Sequence, residues 1–116
     1  MIKKKELEIR GVNIKVTGAL KEYIEKKFKR VQRNFSLAQS AKISLEYEKN
    51  SHVAEIIIYT SLNRDVCMKT SSEDMYASVD IAFSRVVRQL RKTKEKTIDI
   101  KRYRLLKNKR SMVANL

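Results

Sequence analysis

Residues 71–96, SSEDMYASVDIAFSRVVRQLRKTKEK, constrain the fold more than any other stretch of the chain. At 3.6 residues per turn, Tyr76, Val79, Phe83, Val86 and Leu90 share one stripe, with Met75 and Val87 at its edges. That is the spacing of a helix laid on an apolar surface. The opposite side carries Arg85, Arg88, Lys92 and Lys96. One face therefore demands a core, and the other presents a row of cations. Ser71 or Ser72 is predicted to cap the start, with Ser71-x-x-Asp74 at capping-box spacing and Glu73 and Asp74 suited to the positive end of the helix.

A second helix of the same design is predicted after Thr17, a good N-cap, although Gly18 behind it weakens the first turn. Leu20, Ile24, Phe28, Val31 and Phe35 lie on one side, and Lys26, Lys29, Arg30 and Arg33 on the other. Around these helices the chain alternates as strands do. Leu7 and Ile9 alternate with charged residues, and Gly11 is expected to mark a turn or bulge before Ile14 and Val16. Residues 41–48 place Ala41, Ile43, Leu45 and Tyr47 on one face. Lys49 to His52 reads as a hairpin connection, residues 53–60 as a strand with Ala54, Ile56 and Ile58 inward, and residues 65–70 as a fourth strand with Val66 and Met68 inward.

The predicted order is β-α-β-β-β-α. Two amphipathic helices need one surface to cover, and a four-stranded mixed sheet with both helices on one face supplies it, as an α+β two-layer sandwich. A helix between the first two strands makes them parallel by a right-handed crossover, and hairpins make the other pairs antiparallel. Glu46, Glu48 and Glu55 then fall on the uncovered face. At 116 residues, with no proline and only Gly11 and Gly18, the chain has length for one core and no obvious linker. Residues 1–96 are read as the domain, and residues 97–116 as a basic, flexible C-terminal extension able to order on an anionic surface.

The charge balance points to a partner. Lys and Arg number 27 against 13 Asp and Glu, a net charge of +14. Residues 1–34, 35–84 and 85–116 carry net charges of +7, −3 and +10, so the cations belong to the two helices and the tail. Such density has a self-repulsion cost that phosphates relieve. Arg30, Arg33, Arg85 and Arg88 can clamp phosphate oxygens in a fork, while Lys26, Lys29, Lys92, Lys94 and Lys96 supply less directional charge. In the tail, Lys101, Arg102, Tyr103 and Arg104 are candidate RNA contacts, with Tyr103 placed to stack on a base. Phosphate contacts position a protein without reading sequence, so the expectation is RNA recognised by shape and backbone.

Catalysis finds no support in the motifs. One histidine, His52, falls in a predicted turn and reads as solvated; one cysteine, Cys67, falls in a strand with no paired base, excludes an internal disulfide and fits a reducing compartment. No metal-ligand cluster, Gly-rich phosphate loop or cofactor motif is present, so neither metal nor cofactor nor small-molecule substrate is expected. No stretch is apolar enough for a signal peptide or a membrane span, which predicts a cytoplasmic protein without a membrane partner.

The same residues resemble a known family. Asp74-Met75-Tyr76-Ala77 with Val79-Asp80, then Arg88-Gln89-Leu90, then the Lys92, Lys94, Lys96 ladder, occur in order and at the spacing of the ribosome hibernation promoting factor and ribosome-associated inhibitor family, in its short single-domain form. Ile9-Arg10-Gly11-Val12-Asn13, Thr17, Ala19-Leu20, Lys27-Phe28, Arg30-Val31 and Phe35 extend the resemblance over about residues 7–96. It implies a bacterial cold-shock and stationary-phase protein that binds the small ribosomal subunit and its 16S rRNA in the decoding channel. There it would block the A and P sites and silence idle ribosomes reversibly, without catalysis. It also implies rRNA contacts by Lys27, Arg30, Arg88, Lys92, Lys94 and Lys96; for Lys27 and Lys94 the assignment rests more on the resemblance than on the helical pattern, because their helical angles place them nearer the apolar side. The chain departs from the family pattern at Gly18, in a basic rather than acidic extension, and in having no second domain of the kind by which long forms join two ribosomes. A separate ribosome-dimerisation factor is a further partner that the resemblance leaves open. The competing reading is a general basic RNA-binding module or RNA chaperone; an anionic membrane surface ranks third, because the tail lacks a strong apolar stripe to insert.

Overall fold

A computed structural model describes residues 6–62 and 64–114, with the backbone alone for 97–104 and 106–114. The elements are β1 (Leu7–Val12), α1 (Gly18–Asn34), β2 (Ala38–Glu48), β3 (Ser51–Thr60), β4 (Val66–Ser72) and α2 (Met75–Ala114). The strands form one sheet in the order β1-β2-β3-β4. β1 runs parallel to β2, and the two hairpin pairs are antiparallel. α1 sits over β1 and β2 and α2 over β3 and β4, both on the same face. This is the expected β-α-β-β-β-α two-layer arrangement.

Alternation decides which side of each strand faces the helices. Ala41, Ile43 and Leu45 of β2 and Ala54, Ile56 and Ile58 of β3 are buried beneath Leu20, Ile24, Phe28, Val31 and Phe35 of α1 and Val79, Ala82, Phe83, Val86 and Leu90 of α2. The triple isoleucine of β3 thus takes the expected register, with Ile57 on the uncovered side opposite Lys42 and Cys67. Two aromatics predicted inward lie instead at the margin. Tyr47 is 42% exposed at the end of the β2–β3 hairpin, and Tyr76 is 37% exposed beside α1. A phenol keeps its hydroxyl hydrated at an edge, and the smaller Ser78 and Ala82 fill the space beneath α2.

The connections also correct the sequence reading. Gly11 is a strand residue rather than a turn: a Cβ there would lie 2.6 Å from the Ile14 carbonyl oxygen and 2.8 Å from Val16 Cγ2. The returning chain crosses directly over it, and the left-handed turn falls at Asn13, φ 55°. The β2–β3 hairpin is a two-residue loop, Lys49 (φ 50°) and Asn50 (φ 60°), between the paired Glu48 and Ser51. Two left-handed residues give the type I′ geometry that matches strand twist, and Asn supplies it without glycine. His52 is accordingly the second residue of β3 and not a turn residue. Its ring packs edge-on against Tyr47 at 5.0 Å between centroids, and its buried Nδ1 has no hydrogen-bond partner.

Thr17 caps α1 as expected, its side chain accepting from Leu20 N at 3.2 Å. For α2 the cap is Asp74, whose Oδ2 accepts from Ala77 N at 3.2 Å, rather than Ser71 or Ser72. Ser72 instead accepts from Asp74 N and lies 2.7 Å from Ser78 Oγ. Ser78, fully buried, donates to the His52 carbonyl at 2.6 Å, and Thr70 donates to the Ser78 carbonyl at 2.7 Å. These hydroxyls pin the first turns of α2 to β3 and β4.

The backbone of α2 continues as helix through Ala114, where the sequence reading expects an irregular extension. No proline or glycine interrupts residues 75–114, and the segment is rich in Lys and Arg, which favour helix. A 40-residue helix is about 60 Å long, and the chain's longest dimension is 67 Å. Thr93 is the last buried side chain among the described residues, so α2 leaves the core there. No helix among the described residues is long and apolar enough to cross a membrane.

Candidate nucleic-acid interface

The β1-α1-β2 crossover between parallel strands and the β4-α2 return leave α1 and α2 side by side and pointing the same way. The side-chain pairs follow that direction: Tyr23 meets Tyr76 edge-on at 5.0 Å, and four residues further on in each helix Lys27 Nζ lies 2.8 Å from Asp80 Oδ1. The Tyr23 hydroxyl donates to the same carboxylate oxygen, and Lys27 Nζ stands 5.3 Å from the Tyr23 ring centre. Tyr23, Lys27 and Asp80 thus form a clasp between the helices. The hydrogen bond to Asp80, burial and the Asp80 charge push the Tyr23 phenol up from 10.0 to about 12. Partial burial pushes the Asp80 carboxyl up, but hydrogen bonds from Lys27 and Tyr23 and the Lys27 charge outweigh it and hold the group below its ordinary value.

On either side of this clasp the cations are exposed. Lys26, Lys29, Arg30 and Arg33 of α1 and Arg85, Arg88, Arg91, Lys92, Lys94 and Lys96 of α2 all face solvent. Lys26 lies 3.8 Å from Glu22, a solvent-exposed i,i+4 pair worth a few tenths of a kcal/mol. Among the described residues, the others have no acidic partner within salt-bridge distance. The uncovered sheet face is different. Across the strands, Glu8 lies opposite Lys42 and Glu55 opposite Lys69, with Lys42 Nζ 3.9 Å from Glu8. Opposite charges alternate there, so the free positive field belongs to the helical layer.

Among the described residues, recesses break the helical surface on α1 and between the helices. One, of about 390 Å³, is lined by Tyr23, Lys26, Lys27, Lys29, Arg30 and Arg33. The other, of about 260 Å³, lies between the helices, with Lys27, Arg30, Val31 and Asn34 on the α1 side and Asp80, Phe83, Ser84 and Val87 on the α2 side. No group of His, Cys, Asp and Glu able to hold a metal occurs among the described residues.

The sequence profile described as "Sigma 54 modulation protein / S30EA ribosomal protein" matches residues 7–98. A relative from Azotobacter vinelandii, named ribosome hibernation promoting factor, is 34% identical over 94 residues, which cover 81% of this chain and 87% of the relative. The chain belongs to this family. A Bacillus subtilis member named ribosome hibernation promotion factor is 37% identical over 92 residues, covering 76% of this chain and 48% of that longer protein. Among solved structures, the N-terminal domain of Thermus thermophilus Protein Y superposes with a TM-score of 0.67 at 28% identity, covering 74% of this chain and 94% of the domain.

Within the S30EA family fold, the candidate residues fall into three groups. Lys26, Lys29 and Arg33 lie on the outward side of α1, and Arg85, Arg88, Lys92 and Lys96 on the outward side of α2. Arg30 and Lys27 flank the interhelical recess, and Lys27, its side chain 32% exposed, is engaged by Asp80. Lys94 is exposed, just past Thr93, the last buried side chain among the described residues. The side chains of Lys101, Arg102, Tyr103 and Arg104 lie outside the described residues. The sequence reading passed over four residues: Tyr23 as a clasp residue, Asp80 as its acceptor, Asn34 in the recess, and the exposed Arg91, one turn beyond Val87 on α2. Arg91 could have been found by extending the Asp80–Ser84–Val87 line of the helix by four residues.

Proposed function

We propose that this chain binds the small ribosomal subunit through the outward face of α1 and α2, entering the decoding channel and occupying the space of messenger RNA and of tRNA at the A and P sites. Bound there, it silences idle ribosomes reversibly and contributes no chemistry of its own, as a cytoplasmic factor in cold shock and stationary phase. The observation that carries this reading is the asymmetry of charge: exposed cations on the helical layer, most of them without an acidic partner among the described residues, against a sheet face on which acids and bases oppose one another. Family membership and relatives named for ribosome hibernation supply the ribosome as the polyanion.

The contacts with 16S rRNA are assigned to Lys26, Lys29, Arg30, Arg33, Arg85, Arg88, Lys92, Lys94 and Lys96, with Lys27 acting through its hold on Asp80 and its position at the recess. The arginines would take phosphate oxygens in pairs and the lysines would add undirected charge. Lys101, Arg102, Tyr103 and Arg104, in the part of α2 beyond the core, would extend the contact along the channel. Co-sedimentation with separated ribosomal subunits tests this: saturable binding to the empty small subunit, weakened by messenger and tRNA, is expected. Equal binding to both subunits, insensitive to those ligands, would replace it with a general RNA binder.

A further inference from the structure

Tyr76, in the first turn of α2, keeps 37% of its surface in solvent on the helical layer. The ring is exposed yet held. Tyr23 meets it edge-on at 5.0 Å, and Tyr23 is fixed in turn by its hydrogen bond to Asp80 and by Lys27 Nζ over its ring at 5.3 Å. An exposed ring that is already ordered loses little freedom when a flat group lies on it. Charge divides the ground around it. Asp74 lies two residues before Tyr76 and Asp80 one turn after it, and α2 carries no cation before Arg85. A phosphate laid on the ring would therefore meet negative charge, whereas a neutral group would not. Beyond Tyr23 the sign reverses. The recess of about 390 Å³ that Tyr23 shares is otherwise lined by Lys26, Lys27, Lys29, Arg30 and Arg33, with no acid among its lining residues. From Tyr23 to Arg33 α1 rises about 15 Å, room for more than one phosphate. A flat neutral group at Tyr76 with anions following along α1 describes one base of an unpaired strand and the phosphates beside it. A duplex keeps its base faces inside the stack and has none to lay on the ring.

We infer that Tyr76 is a stacking platform for one unpaired base of an RNA strand whose phosphates continue onto Lys26, Lys29, Arg30 and Arg33. The inference rests on the helical layer being the RNA-binding face, and adds that this face takes an unpaired base and not phosphates alone. The base contact is the part of binding that salt does not screen, unlike the phosphate contacts beside it.

The full chain is titrated at one salt concentration against a labelled uridine octamer and against an octamer of abasic ribose phosphates with the same charge. Binding is followed by fluorescence anisotropy. Stacking of one base corresponds to about 5- to 150-fold in affinity, so the uridine strand should bind on the order of 10-fold more tightly than the abasic one. Tyr76→Leu removes the ring in favour of a good helix former and should bring that ratio close to one. Tyr76→Phe keeps the ring and should keep the ratio. The chain has no tryptophan, so Tyr76→Trp places a single indole at the platform, and the uridine strand should quench its fluorescence where the abasic strand does not. A wild-type ratio near one overturns the inference. So does an undiminished ratio in Tyr76→Leu with the parent's helical circular dichroism, or equal quenching of the indole by both strands. If Tyr76→Leu does not fold, the wild-type ratio and the indole signal decide. The outcome separates from the ribosomal reading: a base-dependent ratio lost in Tyr76→Leu without small-subunit preference removes the latter alone, and small-subunit preference with a ratio of one removes only the stacking platform.

Discussion

Ile56 and Ile57 are neighbours in β3 with opposite surroundings. Ile56 is fully buried beneath the helices, whereas Ile57 is half-buried on the uncovered face between Lys42 and Cys67. The same division runs through the whole molecule. The uncovered face alternates acids and bases across its strands and brings Lys42 to Glu8. The outward face of the helices carries cations and, apart from Lys26 beside Glu22, leaves them without an acidic partner among the described residues. A chain able to neutralise charge on one surface and not doing so on the other has kept that field for a ligand, since solubility needs far less than +14.

The largest test of this division is in the core. Ile56→Ala should destabilise the fold by about 2–5 kcal/mol in urea unfolding, as expected of a fully buried side chain. Ile57→Ala, on the half-exposed side, should cost about 1 kcal/mol. Equal losses would mean that the two faces are not distinct in packing. The two glycines sharpen the contrast. Gly11→Ala forces a Cβ against backbone and should cost about 1–3 kcal/mol, while Gly18→Ala meets nothing within 4 Å at a helical position and should stabilise by about 0.5–1 kcal/mol. Thermal or urea unfolding of the pair reads both signs.

Smaller effects belong to the clasp. With its pKa pushed up from 10.0 to about 12, Tyr23 contributes stability that is complete below pH 10 and lost as pH rises toward 12. A spectrophotometric phenolate titration should show a late-ionising phase, absent in Tyr23→Phe and moved back toward 10 in Asp80→Asn. Asp80 works in the other direction. Its lowered pKa means a contribution present above the ordinary carboxylate value of 3.8 and lost as pH falls through the folded one. With the carboxylate about half exposed, that loss should be small, and Asp80→Asn should flatten the acid limb only slightly.

What could be read from the sequence depended on how local its cause was. Strand register and both helix stripes follow from side-chain alternation, which is why Ile56, Ile58, Leu90 and Phe28 fall where periodicity puts them. The cap of α2 was harder, because Ser71, Ser72 and Asp74 all have capping chemistry and only the strand pairing of β4 as far as Ser72 decides among them. Tyr47 and Tyr76 kept the period but stopped at the edge, where a phenol can satisfy both environments. The clasp was invisible: Tyr23 and Asp80 are 57 residues apart and meet only because α1 and α2 run in the same direction. The extension has helical backbone because irregular hydrophobic spacing removes a buried face without removing helix propensity.

The charge asymmetry itself is tested most directly by the salt dependence of small-subunit binding in two matched triple variants. Arg88→Gln, Lys92→Gln and Lys96→Gln together remove three cations from the helical layer; Arg10→Gln, Lys42→Gln and Lys69→Gln together remove three from the sheet face. Each lost phosphate contact lowers the slope of log affinity against log salt by about one unit, so the helical triple should flatten it by roughly three, and the sheet triple should leave it unchanged. A flattened slope in the sheet triple and an unchanged one in the helical triple would contradict the account and move the RNA to the other side of the molecule.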